Sequence, residues 1–158
     1  MFPLGEVSSG TLRIEDLLSV ATEEYRYMAE THGNDDDRVS FRHYCALVED
    51  VNTDSDEAFE IYDEIEEILN DFAPAYVYFG LNPDDGASIG WWPDIEALEE
   101  AALVGEVHKI NDLSELDDLD YSETNEIMLV NDHGNVSYGH VHGDLNRCPE
   151  FHEVWSCV

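Results

Sequence analysis

The chain has 158 residues, of which 38 are Asp or Glu and 6 are Lys or Arg, so its formal net charge is −32. Apolar residues make up 43% and aromatic residues 11%, and this composition excludes a wholly disordered acidic tail, which would lack aromatics. Because like charges repel, the composition disfavours direct binding to nucleic acid or to an anionic membrane and favours basic proteins as partners.

Three helices are predicted in the first half of the chain. Apolar residues with a period of 3.6 indicate a helix over residues 11–30 and a weaker one over residues 38–51. The clearest pattern covers residues 54–72, where Phe59 and seven other apolar side chains form one face. Residues 52–54 are predicted to supply the capping side chains at the start of this third helix.

Strands dominate the second half of the chain. "AYVYFGL" at residues 75–81 has the composition of a strand, and residues 82–90 are predicted to form a loop. Trp91 and Trp92 are expected at the junction between that loop and a short helix that Pro93 opens. A short strand "EVHKI", an antiparallel hairpin of "EIMLV" and "VSYGHVH", and a last strand "FHEVWSCV" follow.

These patterns predict an α+β fold, with three N-terminal helices followed by a small, mostly antiparallel sheet with one short helix. We predict a helical acidic region at residues 1–73 and a small α/β domain at residues 74–158. The N-terminal segment lacks the features of a signal peptide, and no stretch is apolar enough to span a membrane. With sparse cysteines as well, we expect a cytoplasmic protein.

The third predicted helix, "DSDEAFEIYDEIEEILNDF", holds nine carboxylates and no Lys or Arg. At a rise of about 1.5 Å per residue, it carries about one negative charge per 3 Å, close to the ~3.4 Å phosphate spacing of one DNA strand. Like charges at i and i+4 cost about 0.2–0.5 kcal/mol per pair, so a sequence selected for stability alone would place cations here. The predicted partner-binding residues of this segment are Asp54, Asp56, Glu57, Glu60, Asp63, Glu64, Glu67 and Asp71.

Two further acidic clusters lie outside this helix. One is the run of three aspartates at residues 35–37, and the other spans residues 112–123. From the second cluster we predict that Asp117, Asp118 and Asp120 form a second contact with a partner.

Histidines near the C-terminus raise the possibility of a metal site. His140 and His142 are two residues apart on a predicted strand, so both rings would point to one side. Cys148 and His152 follow, and four such ligands could hold zinc. The spacing matches neither C-x-x-C nor H-E-x-x-H. We therefore predict no metal and no cofactor, and keep these four residues as the candidates for a metal-binding module.

The sequence offers no pattern typical of an enzyme. Cys45 lies beside an apolar stripe and is predicted to be a core residue, although His43 is two residues away. Ser88 is not in a G-x-S-x-G pattern. Carboxylate pairs occur by chance throughout so acidic a chain, so their spacing is not informative. We predict that the protein is not an enzyme.

The segments "YVYFGLNPDDGASIGWWPDIEALEEA", "IMLVNDHGNVSYGHV" and "EVWSCV" resemble a group of short uncharacterised acidic proteins of phages and mobile elements. The resemblance covers Tyr76 to Val158 and implies a shared arrangement of strand, glycine-containing loop, short helix and hairpin, without an activity. By its charge, the whole chain also resembles the DNA-mimic proteins that act against restriction and CRISPR systems.

Together these observations predict a non-enzymatic DNA mimic that occupies the nucleic-acid-binding groove of a host defence complex, such as a CRISPR effector or a restriction enzyme. The predicted partner is a basic nucleic-acid-binding protein or complex, without direct contact to nucleic acid or a membrane, and a homodimer is possible. Two alternatives stay open. One is a cytosolic acidic protein of a salt-adapted cell, and the other is the small His/Cys metal-binding module.

Overall fold

The structure is a computed structural model that describes residues 2–10, 13–83, 85–144 and 148–157, without the side chains of residues 144 and 148. The chain divides into two compact units. The first is Gly5–Trp92, and the second is Pro93–Val158 together with Met1–Leu4. Three N-terminal helices followed by strands and one short helix confirm the predicted α+β fold.

The first unit consists of three helices and a small sheet. Its helices are α1 (Ile14–Thr31), α2 (Asp35–Asp50) and α3 (Asp56–Phe72). Its strands β1 (Gly5–Ser9), β2 (Val77–Leu81) and β3 (Ser88–Pro93) form a sheet in the order β1-β3-β2. None of the helices in the described part of the chain has both the length and the apolar composition that a membrane span requires.

The core of this unit lies mainly between α1 and α3. Leu18 and Tyr25 of α1 are buried, as are Ile65 and Leu69 of α3. The contribution of α2 is smaller, because this helix has no fully buried residue. It contacts the core through Phe41, which packs edge-on against the Tyr25 ring with the ring centroids 5.6 Å apart. The apolar stripe of α2 is therefore half-covered by the rest of the unit.

The start of α2 corrects one prediction. The sequence pattern placed it near residue 38, but the helix begins at Asp35 because Asn34 caps it. The Asn34 side chain accepts hydrogen bonds from the backbone N–H groups of Asp36 and Asp37, and the Asp37 carboxylate accepts one from the Asn34 N–H at 2.7 Å. The three aspartates at the first turn thus stabilise the positive end of the helix dipole.

The sheet of the first unit contains two features that the sequence did not predict. The N-terminal strand β1 pairs antiparallel with β3, and Gly90 allows the close approach because a Cβ there would lie 2.2 Å from the Gly5 carbonyl oxygen. Trp91 is in β3 rather than at a loop–helix junction, and Pro93 ends this strand. The Trp91 ring is 1% exposed, and its Nε1–H donates a hydrogen bond to Glu24 of α1 at 2.8 Å.

The second unit contains α4 (Ile95–Val104), β4 (His108–Ile110), a 3₁₀ helix (Leu113–Asp118), β5 (Glu126–Val130), β6 (Val136–Asp144) and β7 (Cys148–Cys157). The strands form a four-stranded sheet in sequence order. The predicted β5–β6 hairpin is confirmed, β6 and β7 are also antiparallel, and β4 pairs parallel with β5. One face is covered by Leu116 of the 3₁₀ helix, which packs with Ile110, Ile127 and Val141.

The two units divide after Trp92, whereas the sequence placed the domain boundary between residues 73 and 74. The difference arises because β2 docks on α3 through the Asn70 side chain. The Phe79 N–H donates to Asn70 Oδ1 at 2.8 Å, and Asn70 Nδ2 donates to the Phe79 carbonyl at 3.1 Å. The Asn70 amide thus makes the two backbone hydrogen bonds that a neighbouring strand would make, so β2 and its partner β3 lie in the same compact unit as the helices.

Replacing Asn70 by alanine is expected to destabilise the protein by about 2–3 kcal/mol, because Phe79 is buried and its N–H and carbonyl would both lose their partner. Urea unfolding followed by circular dichroism measures the loss. The exposed Asn111 serves as the matched control, and Asn111→Ala is expected to change stability by less than about 0.5 kcal/mol. Equal effects of both substitutions would contradict this docking.

Candidate partner-binding surface

Helix α3 is anchored by one apolar face and exposes a continuous acidic one. Its buried residues are Ala58, Ile61, Tyr62, Ile65 and Leu69, which recur every three or four positions. Burying each of the larger side chains contributes about 1.5–3 kcal/mol. The helix is therefore held rigidly against the core while its opposite side faces solvent.

The carboxylates on that opposite side lie in one stripe. At 100° per residue they fall within about a third of the helix circumference, over about 22 Å of its axis. All of them are exposed, and we call this set the acidic face of α3: Asp56, Glu57, Glu60, Asp63, Glu64, Glu67 and Asp71. Seven charges over that length give about one per 3 Å, which is close to the phosphate spacing of a DNA strand.

No carboxylate of the acidic face of α3 forms an ion pair with any cationic side chain among the described residues. The ion pairs in that part of the chain use carboxylates of the other three helices, such as Glu23 with Arg26 and Glu99 with Lys109. The acidic face instead contains like-charge pairs at i and i+4, including Asp56 with Glu60 and Asp63 with Glu67. Its negative charge is left available to a partner.

One residue of the acidic face is positioned by a hydrogen bond from another helix. The hydroxyl of Tyr44 on α2 donates to Glu64 Oε2 at 3.0 Å. Burial and this bond to a carboxylate raise the pKa of Tyr44, whose phenol at its ordinary pKa of about 10 is already a protonated donor at neutral pH. The bond restricts Glu64 to one orientation and ties the acidic face to α2.

Glu66 differs from its neighbours because it points towards the core. It is half-buried, and Tyr62 donates a hydrogen bond to its Oε1 at 3.3 Å. Burial is the main cause that raises the pKa of this carboxyl, with a smaller opposite effect from the Tyr62 bond. Glu66 was not among the predicted contact residues.

Two predictions for α3 were wrong: the burial of Phe59 and the capping side chains at the start of the helix. Phe59 was predicted in the apolar face, but it is 53% exposed and lies beside Asp63 at the edge of the acidic face. At 100° per residue, Phe59 lies only 60° around the helix from Asp56. The prediction counted Phe59 as apolar without considering this angle. Asp54 precedes the helix, which starts after Ser55, and no capping side-chain bond is present at that start.

The second predicted contact lies in the other compact unit, around the 3₁₀ helix. Asp117, Asp118 and Asp120 are all exposed. Asp120 accepts a hydrogen bond from the Ser122 N–H at 3.0 Å, so one of its oxygens is used in a local turn. In the same acidic run, Asp112 and Glu115 form a capping box and serve the 3₁₀ helix itself.

The predicted histidine ligands lie on neighbouring strands. His140 is paired with His152 across β6 and β7, and the His142 ring lies 6.3 Å from His140 and 6.0 Å from His152 between ring centroids. The side chain of Cys148 lies outside the described residues. Among the side chains that the structure does describe, no group of three or more His, Cys, Asp or Glu residues could hold a metal ion.

No protein-family model, curated protein or solved structure matches this chain. The resemblance of Tyr76–Val158 to proteins of phages and mobile elements therefore stays a prediction.

Replacing Glu60 by lysine is expected to stabilise the protein by about 1 kcal/mol at low ionic strength, because it converts repulsion from Asp56 and Glu64 into attraction. Glu60→Gln, which removes the repulsion alone, should give about half of that gain. Urea unfolding in dilute buffer and in 0.5 M NaCl checks the effect, which salt should largely remove. A loss of stability in dilute buffer would mean that Glu60 makes a favourable contact in the folded protein.

Replacing Glu66 by glutamine is expected to raise the melting temperature at pH 7. Because the folded state raises the pKa of this carboxyl, its ionisation costs stability as the pH rises above the ordinary carboxyl value of about 4.3. The advantage of the variant should shrink as the pH falls towards 4, where the wild-type carboxyl is protonated. Calorimetry across this range measures it, and Glu67→Gln is the exposed control for loss of one charge. Equal gains for both variants would contradict a special role of burial at Glu66.

Proposed function

We propose that this protein is a non-enzymatic acidic decoy that acts by stoichiometric binding. In this proposal the acidic face of α3 occupies the nucleic-acid-binding groove of a host defence complex, such as a CRISPR effector or a restriction enzyme, in the cytoplasm of the host cell. The partner is a basic protein surface, since nucleic acid carries the same sign of charge as this chain.

The observation that carries the proposal is the rigid, unpaired charge of the acidic face of α3. A flexible acidic tail would lose conformational entropy on binding, whereas carboxylates on an anchored helix lose little. Their spacing of about one per 3 Å resembles that of phosphates, and a groove built for phosphates supplies arginine and lysine at matching intervals. The binding of such a surface would be fast and strongly salt-dependent.

A second feature supports a protein contact over a purely solvated surface. Phe59 is half-exposed at the edge of the acidic face, beside Asp63. Aromatic side chains often act as anchors in interfaces because they bury much area with little loss of entropy. In the proposed complex Phe59 would pack against the wall of the groove while the carboxylates contact its basic residues. Asp117, Asp118 and Asp120 stay a proposed second contact.

The direct test immobilises the protein at physiological salt and exposes it to lysates of bacteria that carry defence systems. The expected result is one defence complex that is retained and then released by duplex DNA. Reversing Glu60, Asp63, Glu64 and Glu67 to lysine is expected to weaken that binding by at least about 100-fold, because several contacts turn from attractive to repulsive.

A variant with the same change in net charge provides the control. Glu30, Glu100, Glu106 and Asp132 are exposed and lie outside the acidic face, so reversing all four should leave most of the affinity intact. Equal losses for both variants would show that net charge alone drives binding. If the protein unfolds in dilute buffer and recovers in molar KCl, and retains no defence complex, adaptation to high salt replaces the decoy as the explanation of the charge.

A further inference from the structure

An apolar groove runs between α1 and α2 in the first unit. It encloses a volume of about 340 Å³, and its floor consists of Leu18 from α1 and Phe41, Cys45 and Val48 from α2. Burial raises the pKa of the Cys45 thiol, with a further contribution from Glu49. Leu18 is buried and the three α2 residues are half-buried, so the floor is an apolar surface that is only partly covered. The sequence predicted Cys45 as a core residue, but it lies in this groove and is half-buried.

The groove exists because α2 is incompletely covered. No residue of α2 is fully buried, although the helix contains apolar side chains at helical spacing. Helices α1 and α3, by contrast, contain six and five buried residues. In a folded domain, a neighbouring element usually covers such an apolar stripe. The α1–α2 pair thus offers a surface of the kind that another helix covers in a bundle.

The rim of the groove is acidic. The charged residues that line it are Glu15, Glu23, Glu49 and Arg26, which sum to −2, and Glu15 is also paired with Arg13 at 2.9 Å. Arg26 is already engaged by Glu23, with the two side chains 3.2 Å apart. A second copy of this chain is a poor occupant because each copy carries −32. A partner with an apolar stripe and basic flanks complements both the floor and the rim.

We propose that this groove binds an amphipathic basic helix of a partner protein. A helix satisfies its own backbone hydrogen bonds, as do the two helices that form the groove walls, so no polar backbone group is left unpaired on either side. Its residues at i, i+3, i+4 and i+7 would pack on Phe41, Cys45 and Val48, and its flanking Lys or Arg would contact Glu15 and Glu49. This surface is separate from the acidic face of α3, so the inference does not depend on the proposed function.

The test uses a synthetic peptide of leucine and lysine, as long as α2, with its leucines on one helical face. A control peptide of the same composition has its leucines scattered around the helix. Fluorescence anisotropy at physiological salt measures affinity, and mass spectrometry measures whether the peptide protects Cys45 from alkylation. Cys157, which lies in the second unit, is the internal reference for general changes in reactivity. The expected result is binding of the first peptide with protection of Cys45.

Two variants separate the apolar floor from the charged rim. Val48→Glu is expected to weaken binding about tenfold, although it adds a negative charge that would strengthen a purely electrostatic complex. Glu15→Lys combined with Glu49→Lys should also weaken it about tenfold. The matched control is Glu100→Lys with Glu106→Lys, two exposed residues outside both surfaces, which changes the net charge equally and should have little effect. Circular dichroism verifies that each variant is folded.

Several results would overturn the inference. Equal affinity for the two peptides, or tighter binding by Val48→Glu, would show attraction by charge alone. Unchanged alkylation of Cys45 in the saturated complex would place the peptide elsewhere. A larger loss with Glu57→Lys plus Glu60→Lys on α3 than with the groove pair would assign the peptide to the acidic face of α3, and would leave the proposed function untouched.

Discussion

The burial of one face of α3 against α1 is the interaction on which the rest of this protein depends. Side chains such as Ile65 and Leu69 each contribute about 1.5–3 kcal/mol when they leave water, while each like-charge pair at i and i+4 costs about 0.2–0.5 kcal/mol. The apolar contribution therefore exceeds the local repulsion several times over. The buried face thus offsets the repulsion among the unpaired carboxylates on the other side of the helix.

The same balance explains how charge is distributed over the molecule. Acids at Asp37, Asp112 and Glu115 serve as helix caps, and acids on α1, α2 and α4 pair with the few cations. The acidic face of α3 has neither role in the described structure. Salt screens exposed charges beyond about 8 Å at physiological ionic strength, so repulsion between distant carboxylates is weak. A basic partner in direct contact still experiences the attraction of the acidic face of α3.

Helix α2 shows what happens where the apolar contribution is smaller. It is joined to the core by half-buried residues, by the contact between Phe41 and Tyr25, and by the bond from Tyr44 to Glu64. Its capping box compensates locally by fixing its first turn. As a result, one apolar side of α2 is only partly covered. This side lines the groove between α1 and α2.

The sequence by itself determined the α+β fold, the three helices and the β5–β6 hairpin, because hydrophobic periodicity and turn residues act locally. It also determined that Glu60 and Glu67 share one side of a helix. It could not determine that β1 joins β3 or that Asn70 joins β2 to α3, because each contact depends on where a separate element packs. The tertiary structure alone decided which apolar stripes are covered, since coverage requires a partner element and periodicity shows only that one face is apolar.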